Sequence, residues 1–339
     1  MTIALLAFTV FLVSCGLTGW FRRQALAHLL LDVPNPRSSH SIATPRGGGV
    51  AIVLTTLVAL LALGCADRLD WPSVWSLCVG GALTALIGFV DDRSHVAPRW
   101  RLVGHFAAAL GALAILGGGP PLTAMGVVLN SGWFRLAIAA LYIVWMLNLT
   151  NFMDGIDGIA AVEAVTVCLS AVLLSGLAAP GRDLWIAPLV LACATLGFLV
   201  WNWPPAKIFM GDVGSGFLGF MLALLSVQAG WVVPRLFWGW VILLGVFVVD
   251  ATVTLIRRMA QGERIYEAHR SHAYQHAALR RGAHLPVTVA VGVINLCWLL
   301  PVALTVVLGG LDGFLGVLIA YTPLVVAAVR LKAGRPSVT

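Results

Sequence analysis

The sequence predicts an all-α integral membrane protein with about eleven transmembrane helices, its N-terminus outside the cell and its C-terminus in the cytoplasm. The composition, the apolar stretches and the placement of basic residues all support this fold class. Hydrophobic residues make up 60% of the 339 positions and charged residues only 10%, whereas a soluble domain carries about 25% charged residues. A chain with a mean hydropathy of +0.96 cannot cover a water-facing surface, so lipid must surround most of it.

Eleven stretches are apolar and long enough to cross a bilayer, which takes about 20 residues in a helix. They run over about 3–20, 47–66, 73–90, 102–118, 133–150, 159–179, 184–201, 214–230, 236–256, 287–308 and 312–330. The first stretch lacks a positively charged start and a small-residue cleavage site, so we expect a retained span and not a signal peptide. No soluble domain is inserted between the spans, and residues 1–339 are expected to form one polytopic domain.

The basic residues fix the expected orientation. Of 21 Lys and Arg residues, 17 fall on one side of this arrangement, and only Arg68, Arg135, Arg182 and Arg235 fall on the other. Basic residues accumulate in cytoplasmic loops. The net charge of +7 is therefore attributed to topology and not to a nucleic-acid partner, and we expect a multi-pass protein of the bacterial inner membrane.

Polar residues collect in four successive loops on the predicted cytoplasmic face. They are Asp91 and Asp92, Asp154 and Asp157 in NFMDGIDG, Asn202, Lys207 and Asp212 in NWPPAKIFMGDVGSG, and His269, Arg270, His272 and His276. Taken singly, each group has a simpler interpretation as solvated interfacial residues or, for Asp212, as a helix N-cap. Their joint presence on one face, opposite nearly uncharged loops, predicts a functional site there.

The residue types in these loops suit phosphate chemistry. Carboxylates are the ligands that Mg²⁺ or Mn²⁺ prefers, usually together with substrate phosphates. Arg, Lys and His neutralise further phosphate oxygens. The six cysteines show no CxxC spacing and lie in or beside apolar runs, so we interpret them as small apolar residues. The pattern indicates metal-dependent phosphoryl transfer between a water-soluble anion and a lipid.

At these residues the sequence resembles the polyprenyl-phosphate N-acetylhexosamine-1-phosphate transferases. The resemblance covers about residues 30–280 and is carried in order by DVPNPRSSH with TPRGGG, the Asp91–Asp92 pair, NFMDGIDG, NWPPAKIFMGDVGSG and HRSH. NFMDGIDG and PAKIFMGDVGS are its most specific blocks. TPRGGG and HRSHAYQ resemble the branch that starts O-antigen or other surface-glycan chains.

The resemblance implies that a sugar-1-phosphate passes from a UDP-N-acetylhexosamine to undecaprenyl phosphate, with release of UMP. It implies Mg²⁺ or Mn²⁺, with Asp212 as the main ligand and Asp91 and Asp92 beside it. Asp91 is the expected base or phosphate-orienting group. His269 and His272 are expected at the pyrophosphate and sugar. The remaining expected substrate contacts are Arg46, Arg101 at the lipid phosphate, Asn151, Asp154, Asp157, Asn202, Phe209 and Arg270.

Two other protein classes fit part of the pattern. A secondary transporter or channel fits the span count, but transporters place their acids near the middle of the bilayer. A CDP-alcohol-type transferase fits the acids, but NFMDGIDGIAAVEA lacks that family's AR dipeptide after its first DG. The sugar, the glycan pathway, a one-step or two-step displacement and a homodimeric state all stay open. Arg270 and Ser271 depart from the usual histidine motif, which bears on the sugar.

Overall fold

The computed structural model describes residues 3–28, 31–33, 42–94, 96–129, 131–263 and 270–335. His269 and most of the DVPNPRSSH block lie outside these residues. Two short antiparallel strand pairs interrupt the helices, β1 (Leu31–Asp32) with β2 (Thr44–Pro45) and β3 (Leu122–Ala124) with β4 (Val127–Leu129).

The helices follow the predicted spans closely. They are α1 (Ile3–Ala27), α2 (Gly49–Cys65), α3 (Trp71–Ser94), α4 (Pro98–Leu116), α5 (Gly132–Met153), α6 (Ile159–Ala178), α7 (Ile186–Asn202), α8 (Asp212–Val232), α9 (Pro234–Leu243), α10 (Gly245–Ala260), α11 (Ala273–Arg281), α12 (Leu285–Ile294), α13 (Leu300–Val307) and α14 (Gly313–Arg330). A 3-10 turn, Asp183–Trp185, precedes α7, and a π-helical turn, Asn295–Leu299, joins α12 to α13.

In the described part of the chain, nine helices are long and apolar enough to span a membrane, and the bent pair of α9 and α10 makes a tenth candidate. The segment predicted at 47–66 is α2, a shorter apolar helix of 17 residues. Backbone groups in lipid must bond internally, which a helix achieves within one segment. The all-α membrane architecture is therefore confirmed, while the total of eleven and the orientation stay predictions.

The predicted span 236–256 is not one straight helix, because α9 and α10 meet at an angle of 65°. At the break, Gly245 packs so closely against α14 that an added Cβ would lie 2.8 Å from Cε1 of the Tyr321 ring. The turn directs the half of the span that carries Asp250 towards α11. Hydropathy records only how apolar the segment is, so it could not predict the bend.

Helix α8 forms the centre of the bundle and contacts α2, α3 and α5. Its glycines allow these close approaches: a Cβ on Gly219 would lie 2.6 Å from the carbonyl oxygen of Met146, and one on Gly49 of α2 would lie 2.4 Å from Cα of Gly214. Small residues let membrane helices pack backbone against backbone. The N-terminal end of α8, where Asp212 lies, is thereby held against three neighbouring helices.

A buried polar contact joins the π-helical turn to α6. The Nδ2 atom of Asn295 donates hydrogen bonds to Oε2 of Glu163 at 2.7 Å and to Oγ1 of Thr166 at 2.8 Å. Glu163 and Asn295 are fully buried. Polar groups inside a membrane bundle need such partners, since lipid offers none.

The charge asymmetry predicts the outcome of a topology experiment. A reporter fused after Arg281, between α11 and α12, should read as cytoplasmic. One inserted at Met125–Gly126, in the turn between β3 and β4, should read as external, because basic loops are retained inside. Paired phosphatase and fluorescent-protein fusions measure this directly. The reverse pair of readings would invert the orientation and move every motif loop to the outside.

Candidate active site

The TPRGGG block lies against the IFMGD block through backbone hydrogen bonds. The N–H of Phe209 donates to the carbonyl of Pro45 at 2.8 Å, and the N–H groups of Gly47 and Gly48 donate to the carbonyl of Phe209 at 3.1 and 2.9 Å. Gly47 has a φ of +100°, a conformation that favours glycine. This pairing places Arg46, which lies opposite Phe209, beside the start of α8.

Asp92, at the end of α3, caps the N-terminus of α8. Its Oδ1 accepts a hydrogen bond from the N–H of Asp212 at 3.0 Å, and its Oδ2 accepts one from the N–H of Val213 at 3.2 Å. A carboxylate at this end of a helix satisfies free N–H groups and interacts favourably with the helix dipole. The contact requires Gly88, where a Cβ would lie 2.5 Å from the carbonyl oxygen of Asp212.

Two arginines bring three carboxylates together. Arg46 Nη2 lies 2.7 Å from Asp92 Oδ1 and 2.8 Å from Asp212 Oδ1. Arg101 of α4 pairs with Asp91 and lies 3.9 Å from Asp212 Oδ2. Burial acts to lower the pKa of Arg46, but the Asp212 and Asp92 carboxylates outweigh it and raise that pKa. The predicted residues Arg46, Arg101, Asp91, Asp92 and Asp212 therefore form one ionic cluster.

Asn202 connects the loop after α5 to the loop before α8. Its Oδ1 accepts a hydrogen bond from the N–H of Gly158, and its Nδ2 donates to the carbonyl of Ile208, both at 2.9 Å. In the same region, Asn151 donates from Nδ2 to Oγ of Ser215 at 2.9 Å. These amides fix the two loops relative to each other.

Asp157 is held by two neighbours. Its Oδ2 accepts a hydrogen bond from the N–H of Ala206 at 3.1 Å and lies 3.2 Å from Nδ1 of His284. His284 precedes α12 and was not predicted from the sequence, since it stands outside every motif block. Its position brings a segment outside the five motif blocks to the site.

A cavity of about 220 Å³ opens among these loops. Seven predicted residues line it, Arg46, Asn151, Asp154, Asp157, Asn202, Phe209 and Asp212. Asp32, Ser215, Gln275 and His284 are among the other residues of its lining. A second cavity, of about 600 Å³, adjoins it through Asp157, Phe209, Gln275 and His284 and is lined by Arg270. The predicted site residues therefore surround connected space large enough for a substrate.

An apolar cleft of about 670 Å³ adjoins the first cavity through Asp32 and Arg46. Trp20, Phe21 and Phe89 line the cleft, and Asp92 lies at its edge. The ionic cluster thus stands between a polar cavity on one side and an apolar surface on the other.

The oxygen ligands around Asp212 fit a hard divalent cation. Burial, and after it the Asp212 carboxylate, raises the pKa of Asp154 well above its ordinary value. A bound cation would relieve this crowding of carboxylates. Within the described ranges, however, no three His, Cys, Asp or Glu residues are placed to hold a metal together. Asp92 is engaged by backbone N–H groups and Asp91 by Arg101, while Asp212 pairs with Arg46. Asp212 and Asp154 are the two carboxylates of this group that line the polar cavity, and the identity of the metal ligands stays a prediction.

The histidine segment is arranged differently from the expectation. His272 is 2% exposed and does not line either cavity. It is the N-cap of α11, where its side chain and that of Gln275 form a capping box. Gln275 and Arg270 are the residues of this segment that reach the cavities.

Asp250 of α10 holds the start of α11 against the site. Its carboxylate accepts hydrogen bonds from the N–H groups of Ala273 and Tyr274, both at 2.9 Å, and lies 3.3 Å from Nδ1 of His272. The hydroxyl of Tyr274 then donates to the carbonyl of Phe152 at 3.0 Å, beside Asp154. Neither Asp250 nor Tyr274 was predicted from the sequence, although an isolated acid within an apolar span is a recognised signal of function.

Removing the Asp250 carboxylate should impair the site specifically. Asp250→Ala leaves two buried N–H groups unpaired at about 1–3 kcal/mol each and releases α11 from the Asp154 loop. We expect the rate of the sugar-phosphate transfer that the motifs imply to fall at least ~10-fold, as for other misplaced site groups.

Asp312 provides a matched control, because it caps α14 by accepting from the N–H groups of Phe314 and Leu315 at 2.9 and 3.3 Å. Asp312→Ala also removes a cap and should lower the melting temperature while the transfer rate stays near normal. Equal transfer rates in the two variants would contradict a positioning role for Asp250.

Comparison with known proteins agrees with the motifs. Residues 74–230 match the family described as glycosyl transferase family 4. A probable undecaprenyl-phosphate N-acetylglucosaminyl 1-phosphate transferase of Bacillus subtilis is 30% identical over 75% of this chain and 71% of its own length. A phospho-N-acetylmuramoyl-pentapeptide-transferase of Mycobacterium sp. (strain KMS) is 32% identical over 73% of this chain and 80% of its own. A decaprenyl-phosphate N-acetylglucosaminephosphotransferase of Mycolicibacterium smegmatis is 32% identical over 67% and 60%. This membrane protein therefore belongs to glycosyl transferase family 4, within the polyprenyl-phosphate N-acetylhexosamine-1-phosphate transferase superfamily.

Proposed function

We propose that this protein transfers N-acetylhexosamine-1-phosphate from a UDP-sugar to undecaprenyl phosphate and releases UMP. The observation that carries the proposal is the ionic cluster, in which Arg46 and Arg101 hold Asp91, Asp92 and Asp212 between a polar cavity and an apolar cleft. Two anionic substrates, one soluble and one a lipid, require this combination of cationic groups and surfaces.

The reaction forms one P–O bond and breaks another. An oxygen of the lipid phosphate attacks the phosphorus next to the sugar, and the bond from that phosphorus to UMP breaks, with the electron pair leaving on UMP. A phosphate monoester loses its second proton near pH 6, so the attacking oxygen needs little help from a base. Asp91, which Arg101 orients, is our candidate for holding the remaining proton or aligning the phosphate.

Mg²⁺ or Mn²⁺, when bound by Asp212 and Asp154, would supply positive charge to the pyrophosphate and to the departing UMP. The chain's own residues would do the rest of the binding. Arg46 and Arg101 would contact phosphate oxygens at the ionic cluster. The aromatic ring of Phe209 and the polar groups of Asn151, Asp154, Asp157 and Asn202 would hold the nucleotide in the cavity that they line.

The product would be the first lipid-linked intermediate of a surface glycan such as O-antigen, made on the cytoplasmic face of a bacterial inner membrane. The relatives include proteins named for acetylglucosamine and for muramoyl-pentapeptide substrates. The TPRGGG and HRSHAYQ blocks, which resemble the branch that starts surface-glycan chains, favour the former group of donors. Because the chain belongs to a transferase family, the proposal prefers a transferase over the secondary transporter or channel.

A direct assay tests the proposal. Purified protein in detergent is supplied with undecaprenyl phosphate and, in separate reactions, a panel of UDP-N-acetylhexosamines that includes 6-deoxy sugars. Release of UMP together with a lipid-linked sugar pyrophosphate is the expected result. Absence of UMP release with every donor would reject the proposed reaction.

Metal removal should abolish this activity. EDTA should reduce UMP release to background, and Mg²⁺ or Mn²⁺ should restore it, because the oxygen ligands at Asp212 and Asp154 favour hard cations. Asp212→Asn should lower kcat about 10³-fold. Losses of up to about this size follow the removal of one group that stabilises charge in the transition state. Asp67→Asn, remote from the cavities, is the control. A near-normal rate for Asp212→Asn in Mg²⁺ would exclude Asp212 as the main ligand.

Arg270 should influence the choice of sugar. It lines the second cavity, and its Nε has no hydrogen-bond partner within the described residues. One lost hydrogen bond to a sugar changes discrimination between donors, so Arg270→Ala should change the kcat/KM ratio between two UDP-sugars at least ~10-fold. His272→Ala removes a helix cap and should lower both values alike, and Arg99→Ala should lower neither. Equal losses for both donors in Arg270→Ala would refute the role in specificity.

A further inference from the structure

A groove between α10, α11, α12 and α14 lies outside the site described above. It encloses about 530 Å³ and is lined mostly by apolar side chains, among them Val246, Val249, Val287, Val291, Ile294, Leu324 and Leu331. Alanines on α11, α12 and α14 leave the space open, at Ala277, Ala290 and Ala327. The part of this space that lies between the valine and leucine side chains favours an apolar occupant, because water there would lack hydrogen-bond partners.

The rim of the groove is basic. Arg280 and Arg281, at the end of α11, line it and are exposed. Within the described residues neither of them forms an ion pair with a carboxylate. Exposed Arg330 and Lys332 flank Leu331 at the end of α14. Asp250 is an acid in the lining of the groove, but its carboxylate accepts hydrogen bonds from the N–H groups of Ala273 and Tyr274. The positive charge of the arginines at the rim is therefore not balanced by it.

We propose that this groove binds an anionic phospholipid of the cytoplasmic leaflet, with an acyl chain between α10, α12 and α14 and its phosphate at Arg280 and Arg281. Basic pockets between membrane helices on the cytoplasmic side bind anionic head groups in this manner. The charge selects an anionic over a zwitterionic lipid, and the apolar lining selects a lipid over a soluble phosphate.

The groove is distinct from the three cavities of the candidate active site. It shares no lining residue with the polar cavity, the Arg270 cavity or the apolar cleft. The start of α11 separates them, since Tyr274 lines the groove and Gln275 lines the polar cavity. A phosphate bound at Arg280 would therefore lie on the groove side of α11, whereas Asp212 lines the polar cavity on the other side.

Binding is measured on the full chain by native mass spectrometry after delipidation, with phosphatidylglycerol and phosphatidylcholine of matched acyl chains. Phosphatidylglycerol should bind more tightly. Arg280→Gln with Arg281→Gln should weaken its binding roughly 10- to 30-fold, the effect of two basic residues at an anionic head group. Arg23→Gln with Arg99→Gln, which removes the same charge from exposed arginines elsewhere on the motif-bearing face, should leave binding unchanged. Melting temperatures confirm that each variant is folded.

A variant that fills the groove tests separately whether the acyl chain of the lipid binds there. Ala290→Trp places a large ring on the wall and should reduce the binding of phosphatidylglycerol even with both arginines present. Equal binding of phosphatidylglycerol to the Arg280–Arg281 variant and the unaltered protein would overturn the proposal. So would displacement of phosphatidylglycerol by undecaprenyl phosphate at equal concentration, or loss of a dimer in Ala290→Trp with lipid binding intact. Because binding is read without turnover, the result is independent of the proposed reaction.

Discussion

The carboxylate of Asp92 is the contact on which the rest of the site depends. It accepts hydrogen bonds from two N–H groups at the start of α8, and the same carboxylate meets Arg46 at 2.7 Å. One side chain therefore joins the end of α3, the start of α8 and the turn before α2. Three motif blocks that are far apart in sequence acquire a fixed geometry from it, and the glycines at 49, 88 and 214 make the approach possible.

The charges around this contact are balanced for an anionic ligand. Arg46 and Arg101 neutralise Asp92 and Asp91, whereas burial, and after it the Asp212 carboxylate, raises the pKa of Asp154. A region with paired charge beside a region of excess negative charge accommodates phosphate at the arginines and a cation at the acids. A phosphate at the arginines and a cation at the acids would also attract each other, so the arrangement favours their joint binding.

The sequence predicted the apolar spans and many of the site residues, because these depend on local composition and on which side of the membrane a loop lies. The spans follow from runs of apolar residues. Asp154, Asp157, Asn202 and Asp212 were predicted together because their loops share one face, and Phe209 was added by the family resemblance. The sequence did not predict the burial of His272, the use of Asp250 as a cap, or the approach of His284 to Asp157. Each of these depends on how helices distant in sequence are bent and packed, as the 65° turn between α9 and α10 illustrates.

The adjacent acids Asp91 and Asp92 have different contacts, because they point in different directions from α3. Successive side chains on a helix point about 100° apart, and accordingly Asp92 turns to α8 while Asp91 turns to Arg101 on α4. With both oxygens of Asp92 bonded to backbone, its part is to hold α8. Asp91 and Asp212 share Arg101 as a neighbour, the latter at 3.9 Å, so a phosphate at Arg101 would compete with them for its N–H groups. Under the proposed function, entry of the lipid phosphate would thus weaken the hold of Arg101 on Asp91 and make that carboxylate available when its substrate is present.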